Sequence, residues 1–235
     1  MDNASPAVLL TGTSKGIGGI LMSLLCARGY HVISVGRHAP NDTPIIGGQV
    51  THINADLSAS SYVEELADWL ADRGNAFNFV GFIHCAGVGS LTPILETSTQ
   101  LISEQISVNL LSGILISKLI LPYLNRQESR VCFVGSRARR FPFLGGSAYC
   151  ASKAGIHALA DCLALEVKEL GWNIGVSIFE FGRIATGFAG VQQSSHQISA
   201  QGAADLILDV FLRPIDDYDM RVVEIVPSVR RFLSG

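Results

Sequence analysis

Residues 7–25 read Ala7-Val8-Leu9-Leu10, then Thr11-Gly12-Thr13-Ser14-Lys15-Gly16-Ile17-Gly18, then an apolar run through Ile20-Leu21-Met22-Ser23-Leu24-Leu25. A buried strand, a glycine-rich turn and an amphipathic helix therefore meet near the start of the chain. Such a junction aims backbone N–H groups and the positive end of a helix dipole at one point, where a phosphate can sit. Glycine is wanted there because a Cβ blocks the turn or the approach of a pyrophosphate. The spacing is Gly-x3-Gly-x-Gly, not GxGxxG, so a tight turn with no ligand stays open as the alternative.

Further along, strand-like runs fall near 7–11, 31–35, 50–54, 79–85, 130–135, 174–180 and 221–226. Helix-like segments lie between them at about 17–29, 59–73, 99–124, 148–170 and 201–212. This alternation predicts parallel pairing through right-handed crossovers. The strands are almost continuously apolar, as expected when helices cover both sheet faces. The predicted fold is α/β: a doubly wound parallel sheet of Rossmann type with about seven strands, in a single domain over 1–235. A chain of 235 residues is long enough for one substantial core. Only the segment 186–200, TGFAGVQQSSHQISA, is small, polar and without a period.

Seventeen Lys+Arg against twenty Asp+Glu leave a net charge of −3 with no basic block, so nucleic-acid binding is not expected. Glycine, serine or charged residues interrupt the apolar runs, and no membrane association is expected. The first residues lack a basic n-region, so no secretion signal is expected and the cytoplasm is the expected location. Cys26, Cys85, Cys132, Cys150 and Cys162 show no CxxC spacing and read as free thiols. Neighbouring His84 and Cys85 would point to opposite faces of a strand, so no metal site is expected.

Tyr149 and Lys153 are four residues apart at the start of a helix-like segment, which puts phenol and ammonium on one face. Ser136, thirteen residues earlier, follows the β-rich Val131-Cys132-Phe133-Val134, and Asn109 lies in the apolar segment 99–124. With TGTSKGIG at 11–18, Asp56-Leu57, His84-Cys85-Ala86-Gly87, Phe181-Gly182 and Thr186, these pieces resemble the short-chain dehydrogenase/reductase family in order along nearly the whole chain. His84, Cys85 and Phe181 depart from the pattern: asparagines and a proline are frequent at those family positions.

The resemblance implies that Gly12, Thr13, Ser14, Lys15, Gly16, Ile17 and Gly18 cradle a nicotinamide dinucleotide. Asp56 and Leu57 would contact its adenine, and Ala86 and Gly87 would line the nicotinamide ribose. Tyr149 and Lys153 would also bind the cofactor, and Gly182, Ile184 and Thr186 would meet the carboxamide or a phosphate. The segment 186–200 would form a flap over the substrate, a plain surface connection being the alternative. The second strand ends at Gly36-Arg37-His38, without the carboxylate that binds ribose hydroxyls in the usual NAD arrangement. Arg37 and Lys15 instead favour a 2′-phosphate, so NADP(H) is expected over NAD(H).

Hydride exchange at a carbinol carbon requires a proton to move on its oxygen, and Tyr149 is the candidate acid/base. A free phenol has a pKa near ~10, which a neighbouring ammonium lowers. Lys153 would supply that charge, Ser136 would donate to the substrate oxygen, and Asn109 would link Lys153 to solvent through its backbone or a held water. The expected activity is reversible, NADPH-dependent reduction of a small ketone or aldehyde to an alcohol. Arg137, Arg139 and Arg140 raise an anionic substrate, and with it a 3-oxoacyl-thioester reductase, as the alternative. A non-catalytic NADP(H)-binding sensor or scaffold is the alternative of another class. Phe141, Phe143, Leu144, Leu91 and Phe181 would give apolar pocket walls. The surplus of apolar residues in 99–124 and 148–170 predicts self-association as a dimer or tetramer.

Overall fold

Ala7 and Leu9 enter one apolar core while Val8 and Leu10, between them in sequence, enter another. A strand buried on both faces requires a helical layer on each side. The computed structural model, which describes residues 5–40, 45–185, 197–215 and 221–226, shows these layers. Strands β1 (Pro6–Thr11), β2 (His31–Gly36), β3 (Gln49–Asn54), β4 (Asn78–His84), β5 (Ser129–Val134), β6 (Ile174–Phe181) and β9 (Val222–Ile225) form one sheet. Their order is β3-β2-β1-β4-β5-β6-β9, and every pairing is parallel. On one face lie α1 (Gly16–Cys26) and α6 (Ala200–Phe211), through Leu21, Leu25, Ala203 and Ile207. On the other lie α2 (Tyr62–Arg73), α3 (Thr99–Ile106), α4 (Ser112–Ile120) and α5 (Ser147–Glu169), through Leu66, Leu70, Ile116, Ile156 and Ala160. This is the expected Rossmann-type architecture. The chain leaves β1 toward β2 on one side, while β4 flanks it on the other, so the order reverses between β1 and β4. Ligands of such sheets bind beyond the strand carboxyl ends at that point.

Three details depart from the sequence reading. A two-stranded parallel sheet joins β7 (Ile184–Ala185) to β8 (Ile198–Ser199), and α6 starts directly after it. The expected flap thus ends in ordered elements, and its residues 186–196 lie outside the described residues. Second, the helix expected over 99–124 is interrupted by a π-helical turn, Ser107–Leu111. There the Ser112 N–H reaches back to the Ser107 carbonyl, while the Ser112 hydroxyl donates to the Val108 carbonyl at 2.8 Å. Third, Thr99–Tyr123 has the length and apolar composition of a bilayer-crossing helix despite its polar interruptions. In this fold Val108, Ile116 and Ile120 are instead spent on the core.

His84, the last residue of β4, is fully enclosed and faces Thr11 across the ladder. Its Nδ1 lies 3.0 Å from Thr11 Oγ1, and its Nε2 lies 3.4 Å from Ser112 Oγ. The Ser112 hydroxyl gives its own proton to the Val108 carbonyl, so it can only accept from Nε2–H, which leaves Nδ1 to accept the Thr11 hydroxyl proton while Thr11 Oγ1 accepts from the Ala86 N–H at 3.1 Å. Here the ring ties the end of β4 to β1 and to the first residue of α4. Burial first, and the Lys153 charge second, push its pKa down to about 3. The folded value lies below the unfolded value of about 6.5, so the unfolded chain binds the proton first. The stability this contributes is fully present above pH 6.5 and is lost as pH falls toward about 3. In urea titrations the midpoint is expected to fall between pH 7 and pH 4.5, and to fall less steeply in His84→Asn. An equal slope in the variant would assign the acid sensitivity to other groups.

Candidate active site

Gly12 follows β1 with φ +74°, and a Cβ there would stand 2.8 Å from the Ala86 nitrogen. A Cβ on Gly18 would stand 2.3 Å from the Gly12 carbonyl oxygen. The two ends of the turn are packed against the residues after β4 and against each other, with no room for a side chain at position 12 or 18. Helix bonding begins with Gly19 N–H to the Lys15 carbonyl, so the N–H groups of Gly16, Ile17 and Gly18 precede the first intrahelical bond. This turn fits the phosphates of a dinucleotide, because its glycines let the backbone pack close and leave the N–H groups of Gly16, Ile17 and Gly18 outside the helix bonding at the N-terminus of α1. Thr13 is buried, and its hydroxyl is held at 2.6 Å by Ser34 Oγ, which in turn lies 3.0 Å from His52 Nδ1. Only its backbone faces the cradle.

Tyr149 and Lys153 occupy the first two turns of α5. The Lys153 ammonium donates to the Val134 carbonyl at 2.8 Å and lies 5.8 Å from the centroid of the Tyr149 ring. Burial lowers its pKa to about 8, so it is still a cation at neutral pH. Tyr149 is partly exposed, yet burial of its hydroxyl raises the pKa above the ordinary 10.0, with the hydrogen bond to Ser136 opposing. Ser136 also accepts from the Ala138 N–H at 3.1 Å, capping the 3-10 turn Arg137–Arg139. Capping and the contact with Tyr149 are thus compatible roles for one hydroxyl.

Asn109 lies in the π turn and is fully buried. Its Oδ1 accepts from Val88 N–H at 2.7 Å, and its Nδ2 donates to the Val88 carbonyl at 2.8 Å and to Ser152 Oγ at 3.0 Å. Ser152, which the sequence reading missed, donates onward to the Tyr149 carbonyl at 2.7 Å. A Cβ on Gly87 would stand 3.5 Å from Asn109 Oδ1 and 3.7 Å from Lys153 Nζ. Asn109, Ser136, Tyr149, Lys153 and Gly87 are therefore gathered at the carboxyl ends of β4 and β5.

The remaining expected residues are distributed around this point. Lys15 is exposed at the start of α1. The exposed Arg37 has Nη1 3.7 Å from Glu104 Oε1. Asp56 accepts from the Ser58 hydroxyl at 2.7 Å, and this bond holds its carboxyl below the ordinary value, with a smaller contribution from Arg37. Leu57 is buried in the core. Gly182 donates its N–H to the Ile225 carbonyl at 3.0 Å, and Ile184 pairs with Ile198. Thr186 lies outside the described residues.

Two expectations are corrected. Phe181 is no pocket wall: it is 2% exposed and stacks on Phe179 in the core beneath α1 and α6. Nor are the three arginines spare cations. Arg137 Nε donates to Glu224 at 2.9 Å, and Arg139 Nε donates to the fully buried Glu180. Arg140 donates to Glu180 at 3.0 Å and to Glu224 at 2.6 Å. His157 Nδ1, one helical turn beyond Lys153, lies 3.3 Å from Glu180 Oε1. The two glutamates sit at the ends of strands far along the chain, and nothing local marks them as partners. A depression of about 320 Å³ bounded by Trp172, Ile174 and Arg221 lies at the other rim of the sheet, where β6 and β9 begin.

Comparison with known proteins agrees with this geometry. The family model for short chain dehydrogenases matches residues 6–197. Human (Homo sapiens) 17-beta-hydroxysteroid dehydrogenase type 6 is 28% identical over 195 residues, which cover 80% of this chain and 59% of that protein. The chain thus spans about three fifths of that relative's length. The alcohol dehydrogenase of the archaeon Thermococcus sibiricus, solved with 5-hydroxy-NADP, superposes with a TM-score of 0.83 at 20% identity, covering 97% and 98% of the two chains. The 3-oxoacyl-[acyl-carrier protein] reductase of Brucella melitensis, solved with NAD, gives 0.78 at 19% identity, covering 95% and 96%. At these identities the two solved structures establish the fold.

Proposed function

The chain belongs to the short-chain dehydrogenase/reductase family of oxidoreductases, and on that premise we propose that it is an NADP(H)-dependent reductase of a ketone or aldehyde, with Tyr149 as proton donor. The observation that carries this reading is the Tyr149–Ser136–Lys153 arrangement: a phenol that keeps its proton at neutral pH, hydrogen-bonded to a serine and facing a buried ammonium. A substrate carbonyl set against Ser136 and Tyr149 would accept hydrogen bonds from both hydroxyls. When bound, the dinucleotide supplies the hydride that reduces the carbonyl carbon. Tyr149 gives its proton to the developing alkoxide, and Lys153, fixed on Val134, stabilises the phenolate left behind. Asn109 acts by position here, because its side chain is saturated by Val88 and Ser152 and ties the π turn to α5.

Tyr149→Phe is expected to lower kcat by at least about 100-fold, in line with the worth of positioned proton transfer, while the cofactor Kd changes less than about twofold. Since Lys153 loses its proton near pH 8, kcat for reduction should decline above that pH. Steady-state rates from pH 6 to 10, with fluorescence titration of NADPH, measure both effects. Most of the activity surviving in folded Tyr149→Phe would defeat the mechanism.

NADP(H) over NAD(H) is supported by the charge at the end of β2. Arg37 is half exposed, and its pair with Glu104 is long and solvated, hence worth little. The guanidinium is thus available to a 2′-phosphate. Losing a charge-assisted bond costs about 1.5–3 kcal/mol, so Arg37→Asp should weaken NADPH roughly tenfold or more and improve NADH relative to it. Titration of the wild type and Arg37→Asp with both dinucleotides at fixed ionic strength decides the point, and an unchanged preference would remove Arg37 from the site.

Self-association belongs to the same proposal. Leu111 of the π turn, Ile114 of α4 and Leu165 of α5 are 44%, 39% and 60% exposed. Exposed apolar helix surface of this kind marks an interface, and the proposed state is a dimer or a tetramer. Sedimentation at micromolar concentration should show no monomer; a single monomeric species would refute it.

A further inference from the structure

We propose that the mouth of the site selects an uncharged, lipophilic ketone or aldehyde, with Phe143 the side chain that receives its apolar part. This rests on the reductase reading above and specifies its substrate class. Two loops meet beside the start of α5. Gly145 has φ +79°, and a Cβ there would stand 2.5 Å from the Leu91 carbonyl, so the loop after β4 touches the loop after β5. A Cβ on Gly146 would stand 2.6 Å from the Phe143 ring, which therefore lies across the first residues of α5. The Phe143 centroid is 6.2 Å from that of Tyr149. Phe143 is thus the apolar neighbour of the proton donor, and it is 41% exposed.

Around it, Leu91, Phe141 and Leu144 are 51%, 56% and 89% exposed. Single exposed apolar side chains are ordinary, but several on two touching loops beside a partly exposed reactive group mark a ligand surface. The ring contact of Phe143 with Tyr149 identifies the occupant as a molecule that also presents a carbonyl to that phenol.

The charge around the mouth argues the same way. Arg137, Arg139 and Arg140 follow Ser136 directly, yet each guanidinium donates to Glu180 or Glu224. Arg137 also lies 4.5 Å over the Phe141 ring. A carboxylate entering this mouth would shed water without gaining an uncommitted cation from these three, which is unfavourable. A neutral chain gains from each methylene it covers.

The test measures kcat/KM for methyl ketones from four to ten carbons and for oxo acids of matched length, with NADPH and with NADH in turn. For the ketones kcat/KM should rise roughly two- to fourfold per methylene, and the matched oxo acids should run at least about tenfold lower. Leu144→Glu, at a site so exposed that folding is unaffected, should lower kcat/KM for the longest ketone about fivefold or more. Phe143→Ala should flatten the rise with chain length. Glu224→Gln, which takes a carboxylate from Arg137 and Arg140, should raise kcat/KM for the oxo acids. Oxo acids turned over as well as ketones, or no dependence on chain length, would overturn this inference and leave the reductase reading standing. Turnover of neither series by a protein that binds the dinucleotide would overturn both.

Discussion

The site depends on the contact between Gly12 and Ala86. β1 and β4 are neighbours at the point where the strand order reverses, and the chain must leave both ends within one small space. It does so because Gly12 lacks a Cβ that would stand 2.8 Å from the Ala86 nitrogen, while Thr11 Oγ1 takes the Ala86 N–H at 3.1 Å. Any atom added there displaces Ala86, and then Gly87, beside which Asn109 and Lys153 converge. Phosphate cradle and proton-transfer groups are therefore set by one backbone contact, although they lie more than a hundred residues apart in sequence.

Burial then sorts the protons. It raises the phenol of Tyr149 and lowers the ammonium of Lys153 to about 8, yet at neutral pH both groups are still protonated. That is the state a proton donor and its supporting cation need. His84 is buried close enough to feel Lys153, and a second cation in the same low-dielectric space would be costly. Its bonds to Thr11 and Ser112 suit a neutral ring, so histidine at this position joins β4 to β1 and α4 without adding charge.

Much of this was legible in the sequence. The glycines of 11–18, the Tyr149/Lys153 spacing and the alternation of apolar strands with periodic helices are local signals, and they led to the observed architecture. What was not legible required three dimensions. The π turn arises where Ser112 and Asn109 find partners on β4, the loop after it and α5, and a helical period cannot show one extra residue in a turn. Phe181, beside the glycine that begins the next turn, looked like a wall because the family pattern places a pocket there. In the structure it alternates with Glu180 on β6 and points into the α1/α6 core, while Glu180 faces α5.

Glu180 shows best why the net charge near a site is a tertiary property. Read along the chain, Arg137-Ala138-Arg139-Arg140 is a cationic run. In the fold, Glu180 and Glu224 come from 40 and 84 residues away to meet it. Enclosing a carboxylate fully costs several kcal/mol even when it is paired, so such a cluster is weak evidence for net stability. Its effect is better sought in geometry. Arg139 and Arg140 are attached to the turn that Ser136 caps, His157 is on the helix that carries Tyr149 and Lys153, and Glu180 touches all three. An anion at that one position joins the serine's turn to the tyrosine's helix across the end of the sheet. An apolar residue of the same volume could fill the space beside His157, but it could not accept the directed bonds by which Arg139 and Arg140 tie the serine's turn to β6.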